Sequence, residues 1–269
     1  MNNQNFEITK DEVLRENYAE LVKAVTEFNS NEKNKDKQLT ICPAMAGSET
    51  AKIMIVGRAI NGWCSIKQVC KESTKSIEEQ TLEMVNRCGK CNLDWVVGEN
   101  YYTKCIDNHC RYAQEQYKKN KDRDKKKSAY QRYAFWQFAK LIVKKYFKDN
   151  KKEFIKGEWQ KEIIWTNLYK ASYEDGKNPK GFYEAQKSMC DKILKMEIEL
   201  YQPEAIFFIT EKNYKADKEK FGFSWFVEKD FPYTYDLIKG NNLKSEVFVT
   251  KRPERRKIEE VYNEKKSLN

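Results

Sequence analysis

The sequence predicts an α/β fold: a three-layer α/β/α sandwich around a central four-stranded, mainly parallel sheet, with a helical, cysteine-rich insert. Three observations carry this. Four short runs rich in β-branched and aromatic residues, "KIMIVG" (52–57), "EIIWTNLY" (162–169), "EAIFFIT" (204–210) and "EVFVTK" (246–251), are nearly continuous in apolar character. Strands covered on both faces need that pattern. Between the runs the apolar spacing becomes helical, and strands separated by helices imply βαβ crossovers.

In chain order, a helix is expected around 11–28, ahead of the first strand. From Phe135, the residues Phe138, Ala139, Ile142 and Tyr146 follow an amphipathic stripe. Ala185, Met189, Ile193, Met196 and Leu200 trace a second stripe, which ends before Pro203. "RPERRKIEEVYNEKK" after the last strand reads as helical. The whole chain, 1–269, reads as one domain without internal repeats. The exception to the alternation is an insert at about 64–129. It is too long for a plain βα loop and should hold its own helices or a small subdomain.

The formal charge of +10, from 51 basic and 41 acidic residues, suggests a polyanionic partner, most plausibly nucleic acid. A Lys- and Asn-rich solvated surface is the plainer account. The run "YKKNKDRDKKK" (117–127) is either a solvated face or a phosphate-contacting arm. The N-terminus is polar and acidic, unlike a signal peptide, and "AIFFI" is far too short to span a bilayer. A cytoplasmic protein with no membrane partner is expected.

Ligands of open α/β sheets sit outside the carboxyl ends of the strands. "GRAINGW", "TNLYKASYEDGKNP", "TEKNY" and "TKRPERR" should therefore converge. The first fits neither a dinucleotide fingerprint nor a P-loop, though Gly57 and Gly62 allow close backbone approach. Asn167, at the end of the second strand, must satisfy its amide; it either meets a base edge or caps a neighbouring loop. Trp63, Tyr169 and Tyr173 either sandwich a base or pack in the core. Asn61 either orients a water or is the turn residue before Gly62.

Together these features resemble the uracil-DNA glycosylase superfamily, over roughly residues 50–60 and 130–256. In that family a first-strand motif (GQDPY, GINPG, GEAPG or GLAPA) binds the flipped base and often places the water-activating group. A second-strand Asn reads the base edge, and a fourth-strand motif such as HPS contributes a His and DNA-backbone contacts. "WTNLYKASYEDGKNP" is similar to bacterial members with no assigned substrate.

The resemblance implies a pocket shaped by Gly57, Arg58, Ala59, Ile60 and Trp63, with Asn61, Asn167 and Arg252 as the catalytic set. Ala59 falls where GQDPY has its Asp, so the water-activating group must come from elsewhere. Neither Glu174, Asp175 nor Asp94 is singled out for it. Arg252 stands in place of the motif His; the chain's one histidine, His109, lies in the insert. An arginine could stabilise the departing base electrostatically but not protonate it. Lys251, Pro253, Arg255 and Arg256 would meet the DNA backbone, or else begin a solvated helix.

The resemblance thus implies a DNA glycosylase, acting in base excision repair or antiviral defence. Its substrate would be a damaged or modified base, such as those some phages use, rather than plain uracil. Two rival readings remain open: a non-catalytic DNA- or nucleotide-binding module on the same fold, and an unrelated α/β hydrolase or transferase acting on a small nucleoside. The chemistry needs no cofactor. Cys88, Cys91, Cys105 and Cys110 form C-x2-C and C-x4-C pairs separated by thirteen residues. They could hold a structural zinc, with an iron–sulfur cluster or free thiols as alternatives. Cys42, Cys64, Cys70 and Cys190 read as packing residues or carry no assignment.

Overall fold

A computed structural model describes residues 3–59, 74–89, 93–97, 134–155, 157–173, 179–209, 226–228, 235–237 and 245–250. Its centre is a five-stranded sheet. The four runs anticipated as parallel strands form it: β3 (Ile53–Ala59), β4 (Ile163–Tyr169), β6 (Ala205–Ile209) and β9 (Glu246–Thr250). The expectation of four strands needs correcting by one. A two-residue strand, β2 (Met45–Ala46), adds antiparallel to β4, giving the order β2-β4-β3-β6-β9. Nothing in "PAMAG" has the length or alternation of a strand. It pairs because Gly47 lets the backbone close on the next turn, where an added Cβ would stand 1.8 Å from Gln160 O.

Two smaller sheets complete the set. β1 (Leu39–Ile41) pairs antiparallel with β5 (Ala171–Tyr173), and β7 (Phe226–Glu228) with β8 (Tyr235–Leu237). The residues just past β4 are therefore partly strand.

Strand alternation divides the core into two faces. Ile53, Ile55, Ile163, Trp165, Phe207 and Ile209 meet one helix, α4 (Ala134–Asp149), through Phe138, Ala139, Ile142 and Val143. Met54, Val56, Ile164, Leu168, Ile206 and Phe208 meet α5 (Tyr183–Tyr201) through Cys190, Leu194 and Ile198. Burying each of these larger side chains contributes roughly 1.5–3 kcal/mol. With α4 bridging β3 to β4 and α5 bridging β4 to β6, one helix layer covers each face.

A flank of α5 also holds α1 (Asn3–Ser30). Tyr18, Leu21, Val22 and Val25 of α1 pack with Met189, Ile193 and Met196 of α5. α5 stops where Gln202 turns left-handed (φ 44°) and returns its N–H to Ile198 O at 2.9 Å, immediately before Pro203.

The insert contributes α2 (Ile77–Gly89) and the short α3 (Asp94–Val97). Val85 and Leu82 of α2 join the cluster under α1, whereas Leu93, Val96 and Val97 join the cluster on the α4 face. Within a span of about twenty residues, the insert is built into the core on both sides of the sheet. No helix among the described residues is long and apolar enough to cross a membrane.

Candidate functional site at the carboxyl end of the sheet

The parallel strands stand in the order second, first, third, fourth, so the chain leaves β3 toward one edge and β6 toward the other. Connections that part in this way open a crevice at the strands' carboxyl ends. Gly57 lies at its floor, paired with Asn167 on one side and Ile209 on the other.

Asn167 follows Ile163 and Trp165 in alternation, so its side chain emerges on the α4 face. There it leans over Gly57: a Cβ at residue 57 would stand 2.4 Å from Asn167 Oδ1 and 3.5 Å from Phe135 Cε2. Only glycine leaves that space. Asn167 is 2% exposed, and its Nδ2 has no hydrogen-bond partner among the described residues. Leaving a buried donor unmade costs about 1–3 kcal/mol, so native structures keep such groups where a ligand or an ordered water completes them.

Phe135, in the first turn of α4, supplies a half-buried ring beside this pair. It meets Trp136 edge-on at 5.0 Å, and Trp136 meets Trp165 at 5.3 Å. A glycine floor, an amide and a wall of rings can together hold a flat, polar-edged group. Phe135 had been read only as the start of a core stripe. Its signal was position: an aromatic in the first turn of a helix that follows a strand in this topology faces the strand ends.

The other expected residues fall in several places. Ala59 ends β3 opposite Tyr169. Arg58 is half-buried, and alternation sends its side chain toward α5, away from Asn167. Tyr169 is 1% exposed and lies 4.4 Å from the ring of Tyr183 in the α5-side core. Tyr173, on β5, packs 6.4 Å from Phe28. The structure thus brings Gly57 and Asn167 together, while the rings of Tyr169 and Tyr173 lie in packing clusters.

Cys88 lies in α2, and Asp94 opens α3. Outside the described residues lie Ile60, Asn61, Gly62, Trp63, Glu174, Asp175, Cys91, Cys105, His109, Cys110, Lys251, Arg252, Pro253, Arg255 and Arg256, as do the 117–127 charge run and the segment expected to be helical after the last strand. Cys42 and Cys190 are buried in the two sheet-facing clusters, one in each.

Beneath the site, on the α5 side of β4, lies a polar knot that the sequence reading missed. Glu197 accepts hydrogen bonds from Tyr18 Oη (2.7 Å), Thr166 Oγ1 (2.7 Å), Ala44 N (3.3 Å) and Lys170 Nζ (2.6 Å). Lys170 and Glu197 are both fully buried, and Lys170 Nζ also donates to Thr166 Oγ1. Burial, then the Glu197 carboxylate, hold the Tyr18 phenol well above its ordinary pKa of 10.0.

Nearby, Gln186 of α5 takes Ala171 N–H on its Oε1 (3.0 Å) and donates Nε2 to Ala171 O (3.2 Å). Its carboxamide thus acts as a strand partner. Thr166 and Lys170 flank Asn167 in sequence, so the knot and Gln186 fix the path of β4 on both sides of the amide. The signals were a lysine inside the apolar run "TNLYKAS" and a glutamate inside the apolar stripe of α5.

Compared with protein-family profiles, curated proteins and solved structures, the chain matches none.

Proposed function

We propose that the chain is a DNA glycosylase of the uracil-DNA glycosylase type, acting on a flipped, damaged or modified base. The observation that carries this reading is the buried carboxamide of Asn167, lying across Gly57 with an Nδ2 that has no hydrogen-bond partner among the described residues. A base edge offers the acceptor that such a donor lacks. Support also comes from the parallel sheet, whose carboxyl end gathers the first- and second-strand motifs at the crevice. Phe135 supplies a ring against which a base could stack; such contacts are worth roughly 1–3 kcal/mol.

In this reading Gly57 is the floor, Asn167 reads the base edge and Phe135 forms a wall. Asn61, Trp63 and Arg252, which follow β3 and β9 in sequence, complete the site, with Arg252 stabilising the negative charge that develops on the departing base. A zinc held by Cys88, Cys91, Cys105 and Cys110 would order the insert without entering the chemistry, and metal analysis of the purified protein tests for it.

The test is base release. Duplexes carrying uracil, deaminated purines or phage-type modified cytosines are incubated with the protein, then cleaved by alkali at abasic sites. Release from at least one duplex, lost in Asn167→Ala and reduced in Arg252→Ala, is the expected result. Tight DNA binding with no release from any duplex would replace this reading with a non-catalytic binding module. A near-zero salt slope of DNA binding would remove nucleic acid from consideration and leave small nucleosides.

A further inference from the structure

We infer that the outer face of α4 is a track for the phosphate backbone of nucleic acid, leading away from the site. This inference rests on the nucleic-acid reading above and adds a surface that the sequence motifs did not indicate.

The two helix layers differ in charge. α4 carries four lysines, Lys140, Lys144, Lys145 and Lys148, against one acid, Asp149. α5, in the opposite layer, carries three lysines against four acids. On α4 the single acid is engaged at one side, with Lys145 Nζ 3.1 Å from Asp149 Oδ2. Lys140, Lys144 and Lys148 recur every four residues and share a separate ridge, about 12 Å long at 1.5 Å per residue. Lys151 follows just past the helix end.

Lys144, Lys148 and Lys151 are exposed, and no ion pair among the described residues involves them. Like charges four apart repel each other along a helix and weaken it. A polyanion laid along the ridge would turn that repulsion into attraction.

Position selects the occupant. The first turn of α4 touches the site through Phe135, so the ridge starts about one and a half turns beyond Phe135 and runs away from the crevice. A strand whose nucleotide enters the crevice would have its neighbouring phosphates beside these lysines. An anionic membrane surface fits less well: a helix lying in a membrane interface presents an apolar face, and the apolar face of α4 is already buried on the sheet.

The test measures log Kd against log salt for an unmodified duplex. The intact protein is compared with the triple variant Lys140→Gln/Lys144→Gln/Lys148→Gln, and with Lys187→Gln/Lys192→Gln/Lys195→Gln on α5 as control. Each lost phosphate contact lowers the slope by about 0.9, so the α4 triple should lose about 2–3 from its slope while the α5 triple stays unchanged. Replacing the same three α4 residues by Arg should restore the slope, which separates lost charge from a damaged fold.

An α4 triple with an unchanged slope overturns the inference, as does an equal loss in both triples. If that triple instead loses binding only to phosphatidylserine vesicles, the ridge belongs to a membrane surface and the inference fails. Base release with an unchanged slope sinks the track and leaves the glycosylase reading standing. A lowered slope without base release from any duplex does the reverse, and no binding of DNA by the intact protein removes both.

Discussion

The Asn167 carboxamide occupies the volume that a side chain at Gly57 would need, with its Oδ1 2.4 Å from where a Cβ would stand. Both residues pair near the carboxyl end of a parallel ladder that continues to Ala59 and Tyr169, so neither backbone can shift cheaply. Gly57→Ala must therefore push the amide out of the crevice. Thermal melts should show a loss of about 1–3 kcal/mol, and base release should fall by at least tenfold. Unchanged release in a folded Gly57→Ala protein would detach this pair from the chemistry.

Asn167→Leu separates stability from function. Leucine keeps the branched shape and heavy-atom number of the asparagine side chain, though not its smaller volume, and removes the buried amide donor, so denaturant unfolding should show a protein as stable as the parent or more so, by up to ~1–2 kcal/mol. Base binding should be lost in the same protein. A strongly destabilised variant would mean that the amide has a structural partner instead.

The Lys170–Glu197 pair should show strong coupling. Removing either charge alone strands the other in the core, at a cost of about 3–5 kcal/mol. Lys170→Met and Glu197→Leu together leave no stranded charge, and the double variant should be more stable than the sum of the two losses implies. A double-mutant cycle on unfolding free energies measures this directly. Additive losses would show that the two ions do not sense each other.

The buried thiol of Cys190 sets an alkaline limit. Burial pushes its pKa from the ordinary 9.0 up to about 12. Above pH 9 the unfolded chain gives up this proton and the folded chain keeps it. The stabilisation is therefore complete below pH 9 and is lost as the pH rises toward 12. Over that range the parent should lose stability faster than Cys190→Ala, by at most about 1.4 kcal/mol per pH unit. Parallel curves for the two proteins would contradict this. The same burial predicts that Cys190 resists alkylation at pH 8 until the protein unfolds.

The fold was legible where long apolar runs dominate. β3, β4, β6 and β9 fall within a residue or two of their runs, because a strand buried on both faces has little choice of composition. β2 was not legible: two residues carry no period, and their pairing depends on Gly47 closing against Gln160. Asn167 and Gly57 could be picked out because strand ends are where polar residues and glycines need a reason. Phe135, Lys170 and Glu197 could not, since their meaning lies in contacts across roughly 27 to 180 residues of chain. Tyr169 and Tyr173 are a different case, because an aromatic near a site has no sequence mark that separates a stacking ring from a packing one.

β3 is the middle strand, yet its partners arrive late. Ile53 pairs with Ile163 and with Ala205, more than a hundred residues further along the chain. During synthesis at about 5–20 residues per second, an apolar segment that must end up in the centre of the sheet waits several seconds for its first parallel neighbour. Nascent chains halted before β4 should therefore recruit chaperones or aggregate, and the crevice cannot exist on the ribosome until the second half of the protein has emerged.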